Sequence, residues 1–157
     1  MKKLMNGAQM KRIDVYSIQE VGIPSLVLME RAALCVTEAV LEKIKKTDKV
    51  LCVCGSGNNG ADGMAVARQL TERGISAEVY TTAEEGKGTE ELNRQRAILQ
   101  KLGIVFVNDI PAGEYNCIID AVFGIGLSRT ITGRYEQIIE KINAAKDTGS
   151  LIVAVDT

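Results

Sequence analysis

The sequence predicts an α/β protein: a mostly parallel sheet sandwiched between two helical layers. Three observations carry this. From residue 49 onward, short apolar, β-branched runs alternate with segments of helical periodicity. Glycine-rich turns fall where an apolar run gives way to a helical segment, after Cys54 and after Phe123. The 157 residues, 46% hydrophobic and 25% charged, suit one globular domain with a full core.

The elements follow in order. Residues 9–21 read as a first helix, with Met10, Ile13 and Ser17 on one face and Gly22 ending it. Ile23-Pro24-Ser25 punctuates the chain. A long second helix then runs to about Lys46, with Leu28, Ala32, Cys35, Ala39 and Leu41 expected to be buried. Within it, Glu30 and Arg31 read as a solvated ion pair or as residues shaping a pocket. Residues 49–54 form a buried strand. After the first glycine turn, Met64, Val66, Ala67 and Leu70 mark a helix stopped by Gly74. Residues 77–82 are the next strand and 84–88 a polar loop. Thr89 caps a helix with Leu92, Leu99 and Leu102 inward and Gly103 as its stop. Residues 104–107 and 117–123 are strands, separated by a turn at 111–114. Thr132 or Gly133 opens a helix with Tyr135, Ile138, Ile139 and Ile142 on one face, and residues 151–155 are the last strand. This is a Rossmann-like three-layer sandwich preceded by two helices, with no interdomain linker.

Composition narrows the partners. Nineteen basic and twenty acidic residues leave a net charge of −1, too little field for nucleic acid or an anionic membrane. No run spans a bilayer, and the charged Met1–Met5 segment lacks the apolar core of a signal peptide. A cytoplasmic location is the expectation. Cys35, Cys52, Cys54 and Cys117 sit in apolar surroundings without a C-x-x-C pair, so buried, reduced thiols are expected. There is no histidine. Acid–base chemistry then falls to Asp, Glu, Lys, Tyr or Cys, and any metal should be a hard cation held by oxygen.

The chain is organised around Gly55-Ser56-Gly57-Asn58-Asn59-Gly60-Ala61-Asp62-Gly63. Gly55, Gly57 and Gly60 satisfy G-x-G-x-x-G at a strand-to-helix turn, where backbone amides can hold a phosphate. A dinucleotide fingerprint also wants an acid at the tip of the next strand, and here that tip carries Thr81 and Thr82. Asn-Asn-Gly could equally serve only a tight turn. Three polar clusters nevertheless share the C-terminal edge of the predicted sheet: Asn58, Asn59 and Asp62; Asp120 with the loop after it; and Asp156. Taken singly, Asp120 or Asp156 could be a carboxylate capping a loop amide.

The nine-residue glycine block resembles the G-x-G-N-N-G-G-D-G block of the NAD(P)H-hydrate epimerase family, the YjeF N-terminal domain. Residues 22–31 and the stretch Gly124-Ile125-Gly126-Leu127-Ser128-Arg129-Thr130, similar to the family's F-G-[TI]-G-[LF]-x-R loop, extend the resemblance over nearly the whole chain. Thr132-Gly133-Arg134-Tyr135 resembles the segment that follows. The resemblance implies that Asn58, Asn59, Gly60, Ala61 and Asp62, the 124–130 loop, Tyr135 and Asp156 bind hydrated NADH or NADPH. It also implies that Asn59 and Asp120 coordinate a potassium ion, and that the protein is a homodimer. Ala61 replaces a glycine, Thr130 stands where proline is common, and Thr157 replaces an aliphatic residue. The family's further ion-binding serine falls beyond Thr157, so the resemblance implies a domain of residues 1–157 that continues past its last residue. The implied reaction is interconversion of R and S hydrates, with Asp120 as first candidate for the proton-carrying group and Asp156 as second. A non-catalytic nucleotide-binding or protein-interaction module of the same fold is the alternative. A dehydrogenase is disfavoured by the hydroxyl-tipped strand.

Overall fold

The computed structural model describes residues 6–125 and 130–155. Ten elements follow in order: α1 (Gly7–Gln19), α2 (Ser25–Leu41), β1 (Lys49–Cys54), α3 (Asn58–Glu72), β2 (Ser76–Thr81), α4 (Glu90–Lys101), β3 (Phe106–Val107), β4 (Cys117–Ala121), α5 (Arg134–Asp147) and β5 (Leu151–Ala154). The five strands form one sheet in the order β3-β2-β1-β4-β5, every pair parallel. β1 and β4 lie inside, which explains why they read as unbroken apolar runs.

Alternation along the strands sorts the core into two clusters. Val50, Cys52, Cys54, Cys117, Ile119 and Ala121 face α3, with α2 and α4 packed around that helix. Leu51, Val53, Tyr80, Ile118 and Val122 face the other way, under Ile138, Ile142 and Ala145 of α5. The three layers and parallel sheet expected from sequence are therefore present. Local chemistry fixes the helix starts. Asn6 and Gln9 form a reciprocal capping box on α1, and the Thr89 hydroxyl accepts from the Leu92 amide at 3.3 Å. Glu90 and Glu91 in the first turn of α4 and Lys101 in its last suit the helix dipole.

Several expectations are corrected. α1 spans Gly7–Gln19 rather than 9–21, and it buries none of its residues, so the face that carries Met10 and Ile13 is exposed. α2 ends at Leu41 rather than Lys46, and its buried positions are Met29, Ala33, Thr37 and Val40. Ala32, Cys35 and Ala39 are exposed, and Leu28 and Leu41 only half-buried. The register of burial is set by polar contacts to α3. Glu30 accepts from Arg68 Nη2 at 2.5 and 2.6 Å and from Gln69 Nε2 at 2.8 Å. Glu30 is thus paired with Arg68, neither with Arg31 nor with a pocket. Leu102 is the C-cap of α4 and points to solvent, since the helix has finished before its side chain can turn inward. β3 and β4 are shorter than expected. Cys52, Cys54 and Cys117 are buried free thiols; burial holds all three thiols in the neutral form, with Cys117 pushed up to about 12.

Candidate functional site

Parallel strands deliver their C-terminal ends to one edge, and the turn after β1 is built to meet the end of β4 there. The Gly55 amide donates to the Ala121 carbonyl at 2.9 Å, and the Thr82 amide donates to the Cys54 carbonyl at 2.9 Å. Thus the tips of β2, β1 and β4 are laced together side by side.

Within the glycine block, the glycines divide by role. A Cβ on Gly55 would strike the Val122 carbonyl, and one on Gly60 would strike the Gly55 carbonyl. On Gly63 it would press on Ala121 Cβ at 2.6 Å and Cys54 Sγ at 3.0 Å. These three exist so that backbone and helix can close on β4. Gly57, the N-cap of α3, has nothing within 4 Å of the position its Cβ would take, and no side chain caps the helix. The space beside this N-cap is therefore open, at the positive end of a 15-residue helix, which suits a phosphate.

The predicted binding residues spread along this edge. Asn58 is exposed at the start of α3, and Gly60 and Ala61 are buried within its first turn, where Ala61 adopts an ordinary helical position. Asp62 is half-buried, close enough to Cys54 that its charge raises the thiol's pKa. Asn59 is the informative one. Both its Oδ1 and Nδ2 are buried, and neither has a hydrogen-bond partner among the described residues. Orphaned buried amides are rare and costly. Asp120 occupies β4, paired in register with Val53 of β1 and Ala154 of β5. Burial raises its carboxyl above the ordinary aspartate range, against one opposing hydrogen bond from the Val122 amide at 3.1 Å.

After β4, Gly124 is half-buried and Ile125 exposed, its side chain lying beside Gly7 of α1. Thr130 is exposed, and Tyr135 is half-buried with its ring 5.1 Å from that of Phe123. Gly126, Leu127, Ser128, Arg129 and Asp156 lie outside the described residues. Among the described residues, no three His, Cys, Asp or Glu side chains cluster as a metal centre. What the edge does offer is an amide oxygen and a carboxylate, hard donors that suit a weakly charged cation rather than a transition metal. Sequence reasoning missed Arg134 and Tyr80. The guanidinium of Arg134 lies 3.4 Å from both the Tyr80 hydroxyl and the Thr82 carbonyl. A signal was available: a cation in the first turn of a helix opposes the dipole.

Comparison with known proteins matches this architecture. The family described as "YjeF-related protein N-terminus" matches residues 25–157. A Limosilactobacillus fermentum protein named NAD(P)H-hydrate epimerase is 39% identical over 157 residues, 99% of this chain and 74% of that protein. An Oenococcus oeni protein of the same name is 40% identical over 154 residues, 97% of this chain and 72% of the relative. The solved structure of the yeast protein YNL200c superposes with a TM-score of 0.86 at 23% identity, over 99% of this chain and 70% of that one, which supports the fold. A match this extensive, carried through the glycine turn and the end of β4, makes the chain a member of the NAD(P)H-hydrate epimerase family.

Proposed function

We propose that the protein interconverts the R and S forms of hydrated NADH and NADPH. Two observations support this reading: the orphaned buried Asn59 amide in the first turn of α3, after β1, and the half-buried Asp120 carboxyl near the end of the adjacent strand β4. Family membership supplies the substrate class.

The hydrated carbon bears a hydroxyl beside the ring nitrogen. It can lose its configuration in two ways: the hydroxyl leaves as water and water returns to the other face, or the carbon–nitrogen bond opens and recloses. Both routes move a proton on oxygen and change no oxidation state. With histidine absent, a carboxyl carries that proton. Asp120 is our first assignment, since burial holds its pKa nearer the working range of an acid–base group; Asp156 is the second. The glycine-turn amides and Asn58 to Asp62 hold the pyrophosphate side of the substrate, and the 124–130 stretch and Tyr135 contribute further substrate-binding residues. Asn59 and Asp120 would hold a potassium ion, which supplies positive charge near the reacting end and orders the loops when bound. We further assign the protein to the cytoplasm as a homodimer without nucleic-acid or membrane partners. Among the described residues, no helix is long and apolar enough to cross a membrane, and Met10, Ile13 and Tyr16 of α1, with Val21 just after it, give exposed apolar surface for a second copy.

The test is chiral chromatography of the pure R hydrate with and without protein, against spontaneous epimerisation. Acceleration that disappears in Asp120→Asn supports the assignment. No acceleration by the wild-type chain overturns it.

A further inference from the structure

Arg134 is an expensive choice for its position. It opens α5 immediately after Gly133, where a cation opposes the helix dipole. None of the ion pairs among the described residues includes it. Its nearest acceptors are neutral: the Tyr80 hydroxyl and the Thr82 carbonyl, each at 3.4 Å, long for hydrogen bonds. The Tyr80 contact and, at longer range, the charge of Glu84 help keep the guanidinium protonated. The charge is tethered without being neutralised.

It also borders a cavity. Tyr80, Asp109, Ile110, Arg134, Gln137 and Lys141 line a space of about 130 Å³ on the α5 side of the sheet. Lys141 pairs with Asp109 there, so those two charges offset one another and Arg134 leaves the lining net positive. At the same strand tip, Thr82 is buried and its hydroxyl has no partner among the described residues.

The place is chemically meaningful. Cys54 and Thr81 are register partners, so the tip of β2 adjoins the glycine turn. When a dinucleotide's pyrophosphate sits at the β1 turn of such a sheet, its adenosine ribose falls at the tip of β2. An acid at that tip takes the ribose 2′-hydroxyl, whereas a nearby arginine takes a 2′-phosphate. The tip here is Thr81-Thr82-Ala83, without an acid, and the arginine is Arg134.

We propose that Arg134, positioned by Tyr80 and the Thr82 carbonyl, binds the phosphate on the adenosine ribose of the substrate, so that hydrated NADPH is preferred over hydrated NADH. This rests on the epimerase reading for the identity of the substrate, but its test does not. Isothermal calorimetry at fixed ionic strength compares adenosine 2′,5′-bisphosphate with adenosine 5′-monophosphate as probes. The bisphosphate should bind about tenfold more tightly, the size of one charge-assisted contact. Arg134→Ala should level the two, and Arg134→Lys should keep part of the preference, because lysine supplies charge without the planar fork. Tyr80→Phe should fall between wild type and Arg134→Ala. Arg134 is exposed, and circular dichroism verifies that each variant is folded. Equal affinities in the wild type, a preference that survives Arg134→Ala, or no binding of either probe would each overturn the proposal. Parallel epimerisation assays separate the two readings. Activity on both hydrates with no bisphosphate preference sinks only the Arg134 assignment. A bisphosphate preference without epimerisation sinks the epimerase reading and leaves the phosphate site standing.

Discussion

The two ends of the sheet are made of similar residues and handle them in opposite ways. At the N-terminal end, the polar groups answer one another. Asn116 Oδ1 accepts from the Lys49 amide at 2.9 Å, and Lys49 Nζ reaches Glu78 at 3.1 Å. The Tyr115 hydroxyl donates to Glu78 at 2.6 Å, and Ser150 donates to the Tyr115 carbonyl at 2.6 Å. At the C-terminal end, among the described residues, Asn59 and Thr82 keep buried polar atoms without partners and Arg134 forms no ion pair with a carboxylate, while burial raises the Asp120 pKa. Unpaired buried groups cost stability, so a fold keeps them only where another demand outweighs that cost. One end of this sheet serves the fold, and the other carries the site proposed for the ligand.

The largest break in that contrast comes from the glycines that allow the functional end to close. Gly60→Ala should lose more than about 4 kcal/mol, in the range diagnostic of a steric clash in a core, or fail to fold. Gly57→Val, with open space ahead of it, should fold with a near-normal urea midpoint and lose nucleotide binding. Equal midpoints for the two variants would mean that the turn is looser than it looks.

Next in size is the loss of chemistry without loss of fold. Asp120→Asn should cut epimerisation by at least about 100-fold, a typical acid–base contribution. In potassium-free buffer its thermal midpoint should not fall, because the substitution removes a buried charge supported by one amide. In the wild type, potassium should raise the midpoint more than sodium at equal ionic strength, and in Asn59→Ala that difference should vanish. Identical melting in both salts would detach the cation from Asn59.

The smallest effect lies at the structural end. Burial alone would raise the Glu78 pKa, but hydrogen bonds from Tyr115 and Lys49 outweigh it and hold the carboxyl below its ordinary value. Folding therefore favours the ionised form. The stabilisation is complete above the unfolded glutamate pKa and is lost as pH falls through the lower folded value. Glu78→Gln should cost about 1–2 kcal/mol near neutrality, with the gap to wild type closing below about pH 4. A gap independent of pH in urea titrations would assign the loss to packing instead of charge.

Much of this was legible from the chain alone, for identifiable reasons. Asn59 and Asp120 could be placed at one edge because apolar runs followed by glycine turns specify parallel strands, whose ends converge. The buried face of α2 could not be read, because Leu28, Met29, Ala32, Ala33, Val36, Ala39 and Val40 put apolar groups nearly all round the helix. Its phase depends on Glu30 finding Arg68 and Gln69, residues 38 and 39 positions away. For Arg134 the sequence showed a cation in the first turn of a helix, but not what it reaches. Its partners, Tyr80 and Thr82, come within reach only after β2 and α5 have been folded onto the same edge.

The helix α1 has a thermodynamic consequence of its own. Thirteen residues with a good cap but no buried side chain fall short of the length at which a helix holds itself together in water. Its opening free energy is therefore small and separate from that of the sheet, so its amides should trade deuterium long before those of β1. Since Gly7 sits against Ile125, each such opening also releases a flank of the loop after β4. A contact that quiets α1 would therefore also steady Ile125, by no more than the free energy that couples the two.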